Sequence, residues 1–115
     1  MRQSDCVILQ KMVLYCDQID ELMDRFGRDL ESFESDYAYQ YAVGMCIMQI
    51  GEMANRLTPE ALVETAQIPW RLIRAMRNVF AHDYEHTKLA LVWNTMNEDI
   101  PVLRKALTAI LGASR

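Results

Sequence analysis

The sequence predicts an all-α fold, a bundle of four main helices plus one short connecting helix. Three observations carry that expectation. Apolar residues recur at three- and four-residue intervals along most of the chain, the spacing that lines one face of a helix. No segment alternates apolar and polar residues as a half-buried strand does. Four Gly and three Pro in 115 residues leave few places for the tight turns of a many-stranded protein.

The first main helix is expected from about Ser4 to Phe26. Ile8, Met12, Tyr15, Ile19, Leu22 and Phe26 repeat at 4-3-4-3-4, and Leu9, Cys16 and Met23 widen the stripe. Ser4 or Asp5 can cap its start, and Gly27 can end it. The stretch from Arg28 to Glu34 is polar and reads as a connection. A second helix is expected from about Ser35 to Leu57, with Val43, Ile47, Ile50, Ala54 and Leu57 on its inner face. Gly44 and Gly51 share a face there. Glycine costs roughly 1 kcal/mol inside a helix, so that face is read as a close contact with another helix. Thr58-Pro59-Glu60 is a helix-start signal, Thr as N-cap and Pro in the first turn, and opens a short helix to about Thr65. After the break at Gln67-Ile68-Pro69, Trp70 begins the third main helix, which ends between His82 and Glu85. Thr87 can cap the last helix, whose inner row is Trp93, Met96, Ile100, Leu103, Leu107 and Ile110. Pro101 inside that row predicts a kink or local break.

The length suits a single domain over residues 1–115 with a modest core. Apolar Tyr37, Tyr41 and Met48 fall outside the inner stripe of the second helix, so a homodimer is expected to supplement that core. The formal net charge of -4 argues against a protein that coats nucleic acid by charge alone. The stretch from Arg71 to Lys88 departs from this. It carries Arg71, Arg74, Arg77 and Lys88 against Asp83 and Glu85, a local basic site suited to engaging a few phosphates. Cys6, Cys16 and Cys46 sit in apolar helical patterns without CxxC spacing, as reduced buried thiols do. The start lacks a signal-peptide apolar region and no run reaches membrane-spanning length. A cytoplasmic protein without membrane partners is expected.

The segment Arg77-Asn78-Val79-Phe80-Ala81-His82-Asp83-Tyr84 carries the chemistry. Asn78 and His82 are four apart and share a helix face. Arg77 lies about 140° around from His82 at 100° per residue, within reach of a long side chain. Two such helices meeting across a two-fold axis bring two Arg, two Asn and two His into one cleft. Those groups suit RNA cleavage by the RNA's own 2'-hydroxyl. One histidine takes the 2'-OH proton and another protonates the leaving 5'-oxygen. Arginine holds the scissile phosphate and offsets its developing charge, and asparagine orients phosphate or imidazole. No cofactor or metal is needed, because the nucleophile belongs to the substrate; His82, Asp83 and His86 match no strong metal-ligand spacing. Residue types alone leave open a plain solvated helix end.

The segment resembles the HEPN superfamily motif, Arg-x(4–6)-His, in its Arg-Asn-x-x-x-His form. More widely, the chain is similar to the HepT toxin family. Ile50-Gly51-Glu52, Leu57-Thr58-Pro59-Glu60, Ile68-Pro69-Trp70, Met76-Arg77-Asn78, His82-Asp83-Tyr84 and Val92-Trp93 through Glu98-Asp99-Ile100-Pro101 follow that family's order. The resemblance runs from about Phe33 to Leu107; the first helix matches in character only. It implies a HEPN-type helical bundle and a metal-independent endoribonuclease toxin, a homodimer with its cleft at the interface, with Arg77, Asn78 and His82 catalytic. It further implies a minimal nucleotidyltransferase antitoxin of the MntA type as partner, silencing the toxin by AMP transfer to Tyr84. The competing expectation is a non-catalytic HEPN module that binds a nucleotidyltransferase or presents its substrate.

Several neighbouring residues carry weaker expectations. Tyr84, just past the third main helix, should expose its hydroxyl at the cleft rim. Glu52 is a candidate anchor for Arg77 or an antitoxin contact, and Asp83 a candidate support. Asp99 falls on the inward row Val92-Met96-Asp99-Leu103, where a carboxylate needs a partner, expected to be an arginine. Trp70 and Trp93 are read as core or interface anchors, and His86 as solvated.

Overall fold

A computed structural model describes residues 1–113 and is helical throughout, with no strand among those residues. Helix α1 spans Gln3–Phe26 and buries Leu9, Met12, Cys16, Ile19 and Met23. The expected row of Ile8, Tyr15, Leu22 and Phe26 is its half-buried edge. Neither Ser4 nor Asp5 caps α1; Arg2 precedes it without a side-chain cap. The Asp5 carboxylate is buried instead, and accepts from the Thr58 backbone N–H at 3.0 Å and hydroxyl at 2.7 Å. It thereby ties the start of α1 to the segment at Thr58. Gly27 ends α1 at φ 125°, a conformation that L side chains rarely adopt.

The expected connection after Gly27 holds a short helix, α2 (Leu30–Glu34). Its signal was Asp29, whose carboxylate accepts from Ser32 N–H at 3.0 Å as an N-cap. Phe33 pins it to the core. Asp36 caps the next helix, α3 (Tyr37–Arg56), accepting from Ala38 N–H at 2.9 Å. Thr58 caps α4 (Pro59–Glu64) with Pro in the first turn, as read from the sequence. The Trp70 indole N–H donates to the buried Thr65 hydroxyl at 3.0 Å, fixing the entry to α5 (Trp70–His82).

The last main helix is continuous from Leu89 to Ala113: α6 (Leu89–Asn94), a π-turn over Thr95–Asp99 and α7 (Ile100–Ala113). Thr87 does not cap it; Lys88 precedes it, and the Thr87 hydroxyl donates to the Asp83 carbonyl at 2.8 Å. The disturbance expected from Pro101 appears one turn earlier, where Ile100 N–H reaches back five residues to the Thr95 carbonyl. The inward row is Val92, Met96, Ile100, Leu103 and Leu107, as expected from Met96 to Leu107, with Val92 buried where Trp93 was expected and Trp93 and Ile110 half-buried.

Helix α3 is the centre of the bundle, packed between α1 and α5, with α7 closing over α1. Its α5-facing row is Gln40, Gly44, Ile47 and Gly51. A Cβ on Gly51 would lie 2.2 Å from Arg77 Cβ, and one on Gly44 would lie 2.7 Å from the Phe80 ring. The two glycines therefore make the close helix contact the sequence suggested. Cys16 and Cys46 are buried free thiols, pushed up by burial to about 12 and about 11; Cys6 is half-buried. No helix among the described residues is long and apolar enough to cross a membrane.

Candidate active site

The close α3–α5 approach sets the position of Arg77. Because Gly51 has no side chain, the Arg77 stem lies directly against the α3 backbone. The next residue, Glu52, then meets its guanidinium, with Nη2 donating to Oε1 at 2.7 Å. Nη1 donates to Asn78 Oδ1 at 3.2 Å. Glu52 thus stands where an anchor for Arg77 was expected. A guanidinium has five N–H donors in one plane. These two contacts leave one N–H on each terminal nitrogen for a ligand. Arg77 is partly covered, whereas Asn78 and His82 are exposed. The helix thus brings the Arg77 head group, Asn78 and His82 to one open surface.

Asp83 does not support that group. Its carboxylate pairs with His86 Nδ1 at 2.9 Å, a local contact within the turn after α5. This also gives His86 a carboxylate neighbour, although the ring stays in solvent as expected. Asp99 also stands apart from the site and from the core. The π-turn rotates it off the inward row; it is exposed, and none of the ion pairs among the described residues includes it. Trp70 is buried, and the half-buried Trp93 packs on Phe33 with ring centroids 5.7 Å apart, both anchoring roles as expected.

Tyr84 departs most from the sequence reading. It opens a short 3-10 turn, Tyr84–His86, and its ring packs between Tyr41 at 5.6 Å and Phe80 at 6.0 Å. Its hydroxyl is not free at a rim: it donates to Gln40 Oε1. Gln40 is buried, and its amide nitrogen donates to the Phe33 and Glu34 carbonyls at 2.9 and 3.1 Å. Both amide hydrogens are committed, so the buried amide oxygen faces Tyr84 and requires a donor. This side-chain hydrogen bond ties the turn after α5 to the central helix α3. Burial, followed by the nearby Tyr41, raises the Tyr84 phenol above its ordinary value. Gln40 was missed in the sequence. Its signal was position: a polar residue four before Gly44, on the glycine face of α3.

Fold and site together define an all-helical bundle carrying an Arg–Asn–His group on the helix that packs most closely on the central one. The family model described as "Ribonuclease HepT-like" matches residues 15–110. The chain belongs to the HepT-like ribonuclease family, of the HEPN class. It is 33% identical over 86 residues to the "Probable ribonuclease HepT" of Thermococcus cleftensis, covering 73% of this chain and 78% of that protein. It is 29% identical over 83 residues to a "Putative RNase" of Methanocaldococcus jannaschii, covering 72% of each chain. A "Putative RNase" of Caldanaerobacter subterraneus is 29% identical over 85 residues, covering 74% of this chain and 76% of that one. No solved structure matches the chain.

Proposed function

We propose that the protein is a metal-independent endoribonuclease, the toxin of a type VII-like toxin–antitoxin pair. The observation that carries this reading is the Glu52–Arg77–Asn78 chain of contacts beside the exposed His82 on α5, in a chain of the HepT-like ribonuclease family. The proposed active form is a homodimer in which two α5 helices face one another across a shared RNA cleft. One His82 takes the proton from a ribose 2'-hydroxyl, and the 2'-oxygen attacks the adjacent phosphorus. The 5'-oxygen of the next nucleotide leaves and takes a proton from the second His82. The products are a 2',3'-cyclic phosphate and a 5'-hydroxyl end. Arg77 uses its two free terminal N–H groups on the phosphate oxygens, where charge builds in the transition state. Asn78 and Glu52 hold the guanidinium in that orientation. The reading is tested by incubating purified protein with total RNA in EDTA and determining the new ends. Cyclic phosphate ends that vanish in His82→Ala and Arg77→Ala support it. Strict dependence on Mg²⁺, or undiminished cleavage by His82→Ala, overturns it.

The same reading assigns silencing to an MntA-type nucleotidyltransferase that transfers AMP from ATP to the Tyr84 oxygen, releasing pyrophosphate. The modification adds bulk and negative charge two residues past His82, where it would obstruct and repel an RNA strand approaching the end of α5. Its geometric requirement is specific: the hydroxyl must first leave Gln40. Co-expression with the neighbouring nucleotidyltransferase, followed by mass spectrometry of the peptide carrying Tyr84, is expected to show added AMP. An unmodified peptide from silenced protein would overturn this part.

A further inference from the structure

Helix α5 carries Arg71, Arg74 and Arg77 and no acidic residue, in a chain whose formal charge is -4. Arg71, Arg74, Asn78 and His82 are spaced 3-4-4, which places them within about 80° of one another around the helix. The helix turns Ile73 and Phe80 into the bundle, and leaves Arg71, Asn78 and His82 exposed with Arg74 half-exposed. Arg77 stands nearer α3, but its contact with Asn78 Oδ1 brings its head group to the same row.

The pairing of these arginines is uneven. Arg28, Arg77 and Arg104 each meet a carboxylate. Among the described residues, neither Arg71 nor Arg74 does, although the chain has 16 acidic residues against 12 basic ones. Arg74 Nε is covered and has no hydrogen-bond partner. Its stem is therefore held by packing, while its charge meets no acid. A row of unpaired cations ending at the Arg–Asn–His group is complementary to a polyanion that continues past the reacting bond.

We propose that Arg71 and Arg74 form a phosphate track: an RNA strand runs along α5 from His82 toward Trp70, with phosphates beyond the scissile one seated on Arg74 and then Arg71. The distance from His82 to Arg71 along the helix axis is about 16 Å at 1.5 Å per residue, room for more than one such phosphate. This rests on the ribonuclease reading and deepens it. The substrate it specifies is a single-stranded RNA segment longer than a dinucleotide. The track reads backbone and not bases, because phosphate contacts carry no sequence information directly.

The test compares wild type with Arg71→Gln, Arg74→Gln and the double variant on a dinucleotide and a hexanucleotide RNA. Arg25→Gln, an exposed change at the end of α1, controls for net charge. The ratio of kcat/KM on the hexanucleotide to that on the dinucleotide is expected to fall about tenfold for each arginine removed, and to hold in Arg25→Gln. In parallel, binding of the hexanucleotide to His82→Ala protein is followed against salt. The slope of log K against log salt should fall by about 0.7 for each track arginine removed, the value for one single-strand phosphate contact. Equal losses on both substrates would mean that the arginines serve the fold, and would overturn the track. An unchanged salt slope would also overturn it. Wild-type protein that binds the hexanucleotide with arginine-dependent slopes yet cuts neither RNA would remove the ribonuclease reading and leave the track standing.

Discussion

Glu52 and Asn78 decide what Arg77 can do: they occupy one N–H on each terminal nitrogen and leave one on each for a ligand. Glu52→Gln should therefore lower kcat more than it raises KM, because a neutral amide holds the fork less firmly while phosphate still meets a full positive charge. Steady-state kinetics on an RNA oligonucleotide checks this, and a loss confined to KM would contradict it. Tyr84→Phe leaves the buried Gln40 oxygen without its donor. Thermal or urea unfolding should show a loss of about 1–3 kcal/mol, the cost of an unsatisfied buried polar group. The same variant should change the alkaline limb of stability. The folded phenol has a raised value, so the native state keeps its proton where unfolded tyrosine begins to lose it, near pH 10. That contribution is complete below the unfolded value and is lost as pH rises through the folded one. Tyr84→Phe should flatten the decline above pH 10 relative to wild type; an identical alkaline limb would show that the hydroxyl is solvated. At this scale the Glu52–Arg77 contact and the exposed positions of Asn78 and His82 on α5 were legible, because helical spacing sets them. The sequence did not reveal that Tyr84 is tied down, because Gln40 lies 44 positions earlier in sequence and only the fold brings them together.

The α3–α5 pair is the element that converts spacing into a site. Gly51→Ala places a methyl 2.2 Å from Arg77 Cβ. That atom is fixed to the α5 backbone, so the whole helix must shift to relieve the clash. Gly44→Ala meets the Phe80 ring at 2.7 Å, and a ring can swing. Gly51→Ala should cost about 1–3 kcal/mol, the usual penalty for overpacking, and should exceed Gly44→Ala. It should also part Arg77 from Glu52, so cleavage falls beyond what lost stability explains. Equal stability losses in the two variants would argue that α5 yields at both points alike. The close contact was legible from two glycines seven apart in an apolar helix. The outward turn of Asp99 was not. Pro101 announced a disturbance, but the extra residue entered one turn earlier as a π-turn, which kept Ile100 on the inward row as expected and turned Asp99 to solvent. Periodicity assumes a constant twist, and the π-turn breaks that assumption. The short α2 was hidden for another reason: five residues are too few to display a period, and only the Asp29 cap marks them.

At the scale of the molecule, α5 stands between two kinds of surface. Its polar row is flanked by a groove toward α7 of about 440 Å³, walled by Leu72, Ile73, Met76, Val79 and Leu103. Leu72 is 64% exposed and Val102, on the far wall, 69%. On α3, Tyr37, Tyr41 and Met45 are also exposed, whereas Met48, read with the tyrosines from sequence, is half-buried. A small domain can stabilise itself further by burying such surface against a copy of itself. The groove is the better candidate for that contact, because it adjoins the Asn78–His82 row and a dimer formed there sets two such rows at one cleft. Light scattering or sedimentation should therefore give twice the chain mass of 13.4 kDa at micromolar concentration. Leu72→Asp should reduce the mass to one chain and abolish cleavage together, since a charge in a dry contact is costly. Tyr37→Ser, at the start of α3 and outside that groove, should leave the dimer intact. If Leu72→Asp cleaves RNA as a monomer, one protomer holds a complete site and the two-histidine mechanism fails. If Tyr37→Ser alone dissociates the protein, the contact lies on α3, and the row on α5 faces solvent without a partner across it.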